Sequence, residues 1–299
     1  MITPSYLKRG DLIGIVAPAR RTSPEEMAPA LEMIEARGFR IRLGEHLYAA
    51  DRQFAGTDAQ RAADVQRMIG DPEVRAILCA RGGYGSVRLV DRIDWQALAR
   101  DPKWIIGYSD VTVFHSHIHR HLGMETLHAT MPLNFAQPGA EESLSSLWKA
   151  LEGQLQGYTA PAHPLNRAGM AEGQLVGGNL SVLYSLMGSP SDLDVAGKIL
   201  FIEDLDEYLY HIDRMMMNLK RNAWPDRIVG LMVGGMTQMN DNTVPFGRTA
   251  EEIIREAMEG FDIPLAFGFP AGHLADNRAL MLGRRVQLSV NGIVEVRFE

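Results

Sequence analysis

The sequence predicts an α/β protein of two domains, a parallel-sheet domain first and a second that closes on a period-two hairpin. Two observations carry this. Short β-like runs alternate with helical periods through the first half, and near residues 152–172 the pattern lapses before resuming in a different form. Alternating strands and helices imply a parallel sheet covered by helices. The length of 299 residues leaves room for two medium domains.

Taken in order, the first half reads LIGIVAP, a helix from Ser23 to Arg37, FRIRL, a helix from Thr57 to Ile69, RAILCA, WIIGY, and a helix from Asp110 to Leu122. The first helix is well marked. Ser23 caps it, Pro24 takes its first turn, Glu26 completes a capping box and Gly38 follows its end. Met27, Leu31 and Ile34 then share an inner face. Thr57 with Gln60 repeats the capping signature. The stretch EGQLQGYTAPAHPLNRAGMAE sustains no apolar period, so the domains are placed at 1–155 and 173–299 with a linker at 156–172. In the second half, KILFIE, RIVGLMVGG and PLAFGF are separated by helical segments at Tyr208–Lys220 and Ala250–Glu259. Arg285–Ser289 and Ile293–Phe298 alternate with period two around Asn291-Gly292, a pair suited to a type I′ hairpin turn.

Composition limits the function. Apolar residues make up 46% and charged residues 22%, which excludes a disordered or low-complexity chain. With a net charge of −7 there is no basic excess to neutralise a nucleic-acid backbone. The one cysteine, Cys79, lies in an apolar setting and suits a reducing compartment. Near the start, an apolar stretch of seven residues fits neither a secretory signal nor a membrane span, so a cytoplasmic protein is expected.

Some motifs are weaker than they look. In ARGGYGSVR, Gly83 and Gly85 imitate a dinucleotide fingerprint, but Arg88 occupies the third glycine position and opposes close helix packing. What remains is a glycine-rich turn whose backbone N–H groups can face a ligand. His115, His117, His119 and His121 would line one face of a strand. Their context predicts a helix, which splits them into two i, i+4 pairs with no carboxylate or thiol to complete a metal shell. EDLDE lacks the spaced ligands and the glycine of a calcium loop.

A scattered constellation is more informative. Ser109 follows WIIGY, Glu203 ends KILFIE, and His273 lies just after PLAFGF. Each stands where a β-run gives way, and open α/β sheets bind ligands at the carboxyl ends of their strands. Serine needs a histidine to accept its proton and a carboxylate to orient that histidine, and the chain order of the three is free. The helix opening at Asp110 adds N–H groups for an oxyanion. Each residue also has a bland reading: a helix cap, a surface ion pair, a loop histidine. GYSDV fails the G-x-S-x-G elbow at its last glycine.

With GDLIGIVAPA, QFAGTDAQR, RGGYGSVRLVDRIDW, GYSDVT, GGNLSVL, ILFIEDLDEYLYHIDRM and GFPAGH in this order, the chain resembles the LD-carboxypeptidase family of serine peptidases. That family includes murein tetrapeptide carboxypeptidases and microcin-C-type self-immunity hydrolases. The resemblance implies a flavodoxin-like N-terminal domain, a smaller mixed-β C-terminal domain, a homodimer, and no metal or organic cofactor. It implies Ser109 as nucleophile, Glu203 and His273 as its partners, and the backbone N–H groups of Gly83 and Asp110 as oxyanion donors. The substrate it implies is a cytoplasmic muropeptide tetrapeptide that loses a terminal D-alanine. Recognition of a terminal carboxylate suits an arginine fork, for which Arg81 is the candidate. The alternatives are cleavage of a peptidyl- or aminoacyl-nucleotide amide, with Trp224, Tyr208 or Tyr210 as a stacking aromatic, and a non-catalytic small-ligand-binding protein.

Overall fold

A computed structural model describes residues 1–299. In chain order the first elements are β1 (Leu12–Val16), α1 (Pro24–Ala36), β2 (Arg40–Leu43), α2 (Asp58–Gly70), β3 (Val74–Cys79), α3 (Gln96–Arg100), β4 (Trp104–Ile106), α4 (Thr112–Leu122), β5 (Thr126–His128) and α5 (Glu141–Leu151). There follow β6 (Gly157–Ala160), β7 (Gly169–Asn179), α6 (Leu180–Leu186), β8 (Ile199–Leu205), α7 (Leu209–Arg221), α8 (Trp224–Arg227), β9 (Gly230–Thr237), α9 (Ala250–Ala257) and β10 (Leu265–Ala266). β11 (Leu280–Leu282), β12 (Arg285–Asn291) and β13 (Ile293–Phe298) complete the chain. No helix is long and apolar enough to cross a membrane.

The chain forms two compact units, Met1–Leu155 with Ala275–Gly283, and Gln156–Leu274 with Arg284–Glu299. The first carries a six-stranded sheet in the order β11-β5-β4-β3-β1-β2, parallel except where β11 runs antiparallel to β5. Its β2-β1-β3-β4-β5 succession is the flavodoxin-like order, with the topological switch between β1 and β3. β1 is apolar and buried throughout and β3 everywhere but at Arg75, as a sheet covered on both faces requires.

Both capping boxes form, Ser23 with Glu26 and Thr57 with Gln60. The inner face of α1 is Met27, Ala30 and Ile34. Leu31, expected there, is only half-buried because the i, i+3, i+7 stripe centres on Ala30.

The second, smaller unit has a seven-stranded mixed sheet in the order β10-β9-β8-β7-β12-β13-β6. Its β10-β9-β8-β7 half is parallel, and β7-β12-β13-β6 is antiparallel. Residues 156–172, expected as a linker, instead carry β6 and the first turns of pairing of β7 against β12. Their Gly and Pro content suits strands that begin and end at a sheet margin, where no long apolar period is needed. The terminal hairpin is present, but only Gly292 has positive φ, at 76°. Asn291 stays in β12 opposite Ile293, so the turn is not type I′.

Candidate active site

The first unit holds Ser109, Asp110, Gly83 and Arg81, and the second holds Glu203 and His273.

Ser109 stands between β4 and α4 with φ 62°, a left-handed backbone that costs a serine roughly 1–3 kcal/mol and is kept only where the surroundings enforce it. The turn is a sharp strand-to-helix one, with the Ser109 side chain buried. The missing last glycine of the elbow motif has a local remedy. A Cβ on Gly107 would come within 2.9 Å of Val111 Cγ2, so the glycine two residues before Ser109 makes the room that Val111 takes. The carbonyl of Gly107 is held by Ala129 N at 3.3 Å and His115 Nε2 at 2.9 Å. Burial lowers the pKa of His115 to about 4, so the neutral ring donates there and anchors the end of β4.

The glycine turn after β3 packs against Ser109. A Cβ on Gly82 would lie 2.9 Å from Ser109 Cβ and 3.0 Å from its Oγ. Asp110 ties the same turn down from below: its Oδ2 accepts a hydrogen bond from Ser86 N at 2.7 Å. Burial raises the Asp110 pKa, opposed by the Ser86 and Gly85 N–H groups and by Arg61. Two oxyanion candidates, the N–H groups of Gly83 and Asp110, therefore lie on segments that the Asp110 carboxyl links. The sequence singled out the Asp110 backbone and missed its side chain, whose signal was its place beside Ser109.

In the second unit, Glu203 lies near the carboxyl end of β8, where the register against β9 shifts between Ile202 and Asp204. Such an irregularity re-aims side chains. Glu203 Oε2 accepts hydrogen bonds from His273 Nδ1 at 2.7 Å and from His273 N at 3.1 Å. Thr237 Oγ1 donates to the His273 carbonyl at 3.1 Å, fixing the backbone from the other side. A Cβ on Gly272, at φ 103°, would come 2.6 Å from Glu203, so glycine is what lets the histidine loop close on the carboxylate. Burial works against protonation of His273, but the charge and hydrogen bond of Glu203, aided by Asp204, prevail and raise its pKa. The Glu203 carboxylate thus fixes the ring orientation through Nδ1.

Sequence reasoning missed Asp204. Its carboxylate accepts from Asn179 Nδ2 at 2.9 Å and Ser181 N at 2.8 Å, joining β8 to the start of α6. Burial first, and then the Glu203 charge, raises its pKa to about 7. The signal was available in the adjacent acids of EDLDE.

The remaining candidates separate. His117 and His121 do form an i, i+4 pair, rings 4.3 Å apart, while His119 Nε2 meets Thr126 Oγ1 at 3.1 Å. Burial pushes the Cys79 thiol up, consistent with a packing role. Trp224 is buried in the core of the second unit and unavailable for stacking, whereas Tyr208 and Tyr210 are exposed with rings 5.5 Å apart.

Residues 13–129 match the LD-carboxypeptidase N-terminal domain, and residues 172–288 match the LD-carboxypeptidase C-terminal domain. The chain belongs to the LD-carboxypeptidase family. It is 36% identical to a protein named probable murein peptide carboxypeptidase of Bacillus subtilis, over 96% of this chain and 91% of that one. It is 31% identical to the murein tetrapeptide carboxypeptidase of Pseudomonas aeruginosa, over 93% of each. Family membership makes it a serine carboxypeptidase. The fold of this LD-carboxypeptidase is also that of MccF solved in complex with glutamyl sulfamoyl guanosine, with TM-score 0.90 at 23% identity over 99% of this chain and 98% of that one.

Proposed function

We propose that this LD-carboxypeptidase removes the terminal D-amino acid, D-alanine, from murein tetrapeptides, acting in the cytoplasm as a homodimer. The substrate reading is supported by the names of the relatives at 36% and 31% identity. The observation that carries the chemistry is the Glu203–His273 hydrogen bond, which prepares a base for a serine.

In the proposed reaction Ser109 Oγ attacks the carbonyl carbon of the scissile amide while His273 Nε2 takes its proton. The developing oxyanion accepts hydrogen bonds from the N–H groups of Gly83 and Asp110. Protonated His273, stabilised by Glu203, gives its proton to the leaving amine, and the C–N bond breaks to release the D-amino acid. Water, deprotonated by His273, then attacks the Ser109 ester; the bond from the acyl carbon to Oγ breaks as His273 returns the proton to Ser109 Oγ, and the shortened peptide leaves as a carboxylate. Arg81 receives the terminal carboxylate as a charge-assisted fork.

A second reading, cleavage of an aminoacyl-nucleotide amide, takes its support from the likeness to nucleotide-bound MccF and from the exposed Tyr208–Tyr210 pair. Mass-spectrometric product analysis after incubation with a murein tetrapeptide, a pentapeptide and an aminoacyl sulfamoyl nucleoside separates the two. The proposal expects loss of alanine from the tetrapeptide alone. Cleavage confined to the nucleoside substrate would refute it.

A further inference from the structure

Beside the glycine turn, in the first unit, a cavity of about 850 Å³ is lined by Arg20, Arg21, Arg52 and Arg81 together with Tyr48 and Glu26. Three of these arginines are placed by the backbone. Arg20 bridges Phe54, Arg21 N donates to Gln53 O at 3.0 Å, and Arg52 is held at φ 57° in the tight turn between Asp51 and Phe54. The fourth, Arg81, reaches across with Nη1 on the Arg21 carbonyl at 3.1 Å, while its buried Nε has no hydrogen-bond partner.

None of the four guanidinium groups has an ion-pair partner, although the chain carries a net charge of −7. The carboxylate of Glu26 is already engaged by Thr22 Oγ1 and Ser23 N. Neighbouring arginines behave differently: Arg61 and Arg88 both pair with Asp58, and Arg42 pairs with Asp71 and Glu73. Four like charges lining one cavity repel each other, and an anion placed among them would relieve that repulsion.

Its position fits a ligand. Residues 20–23 follow β1 and residue 81 follows β3, the two strands that flank the topological switch, where open α/β sheets bind their ligands. A Cβ on Gly83 would lie 2.6 Å from Arg20 Cδ, while one on Gly82 would meet Ser109. The two glycines are therefore packed between the nucleophile on one side and the arginine cavity on the other.

We infer that this cavity is a subsite for an oligocarboxylate peptide: Arg81 serves the terminal carboxylate, and Arg20, Arg21 and Arg52 take a further, non-terminal carboxylate of the same substrate. One guanidinium suffices to fork one carboxylate, so four call for more than one. The inference rests on the peptidase reading above but is measured by binding, independently of turnover.

The test is titration of the tripeptide product, with its carboxylates free and with every non-terminal carboxylate converted to a carboxamide. Both peptides are titrated into the wild-type chain and into Arg21→Gln/Arg52→Gln. The free peptide is expected to bind the variant about 10-fold or more weakly than it binds the wild-type chain, and to weaken with added salt. The amidated peptide is expected to distinguish the two proteins less than about 2-fold. Equal losses for both peptides, or no loss for either, would overturn the subsite. So would binding that follows inorganic phosphate or a nucleotide diphosphate and ignores amidation. Circular dichroism confirms that the variant is folded. Release of alanine from the tetrapeptide by the wild-type enzyme is scored separately, so failure of the subsite and failure of the proposed reaction read differently.

Discussion

His273 Nδ1 lies 2.7 Å from Glu203 Oε2, and the backbone N of the same histidine is 3.1 Å from the same oxygen. One carboxylate oxygen thus fixes both the ring and the chain that carries it. The carboxylate is fully buried, so its charge acts on the imidazole with little screening by water.

In the proposed mechanism the pair sets the pH dependence. Glu203 raises the His273 pKa above the ordinary 6.5, so the basic form of the ring is lost as pH falls through that raised value. The acid limb of kcat/KM is expected above pH 6.5. In Glu203→Gln the charge of Glu203 is gone and burial is opposed only by Asp204, so the limb should move to lower pH, with kcat reduced about 10³- to 10⁴-fold. The pair's contribution to folding has the matching sign. It is complete below the ordinary histidine pKa and lost as pH rises through the raised one. Rate profiles of both proteins between pH 5 and 9 check the shift, and an unmoved limb would assign it to another group.

Gly82→Ala places a methyl group against Ser109, 2.9 Å from its Cβ. The methyl meets Ser109, the proposed nucleophile, so Ser109 must shift, and reactions of this kind lose about 100-fold for a displacement of about 1 Å. We expect kcat to fall about 10- to 100-fold with the circular dichroism spectrum unchanged. Wild-type turnover would show that the turn does not constrain the serine.

Asp110→Ala frees Ser86 N and slackens the turn that presents Gly83. Loss of one oxyanion donor costs on the order of 10²-fold or more in kcat. We expect about that loss, with KM changed less than about 3-fold, because the effect belongs to the transition state. Asp110→Asn keeps an acceptor for Ser86 N and should restore most of the activity. Equal loss in both variants would point to the charge of Asp110 and away from its hydrogen bond.

Much of this was legible in the residues. Ser23/Glu26 and Thr57/Gln60 announced their helices because capping is a local contract between residues three apart. The alternation of LIGIVAP, RAILCA and WIIGY with helical periods announced the parallel sheet. Other features depend on partners far along the chain. Leu280–Leu282 is too short to read as a strand, yet it joins the first sheet beside β5. Residues 157–160 read as linker because their strand is defined by β13, which lies more than a hundred residues later. Arg20, Arg21 and Arg52 are ordinary surface residues in one dimension, and the Arg20–Phe54 and Asp51–Phe54 bridges with the Arg21–Gln53 hydrogen bond bring them into one cavity. The fitness of GYSDV as an elbow became clear only when Gly107 was seen to make room for Val111.

The central claim is that Ser109 is a nucleophile activated by His273 and Glu203. It is tested most directly by the rate at which a fluorophosphonate labels Ser109, followed by intact-protein and peptide mass spectrometry. The account predicts one adduct, on Ser109, forming about 10³-fold or more slowly in His273→Ala and substantially more slowly in Glu203→Gln. Labelling of Ser109 at an undiminished rate in folded His273→Ala, or none in the native enzyme, would contradict it.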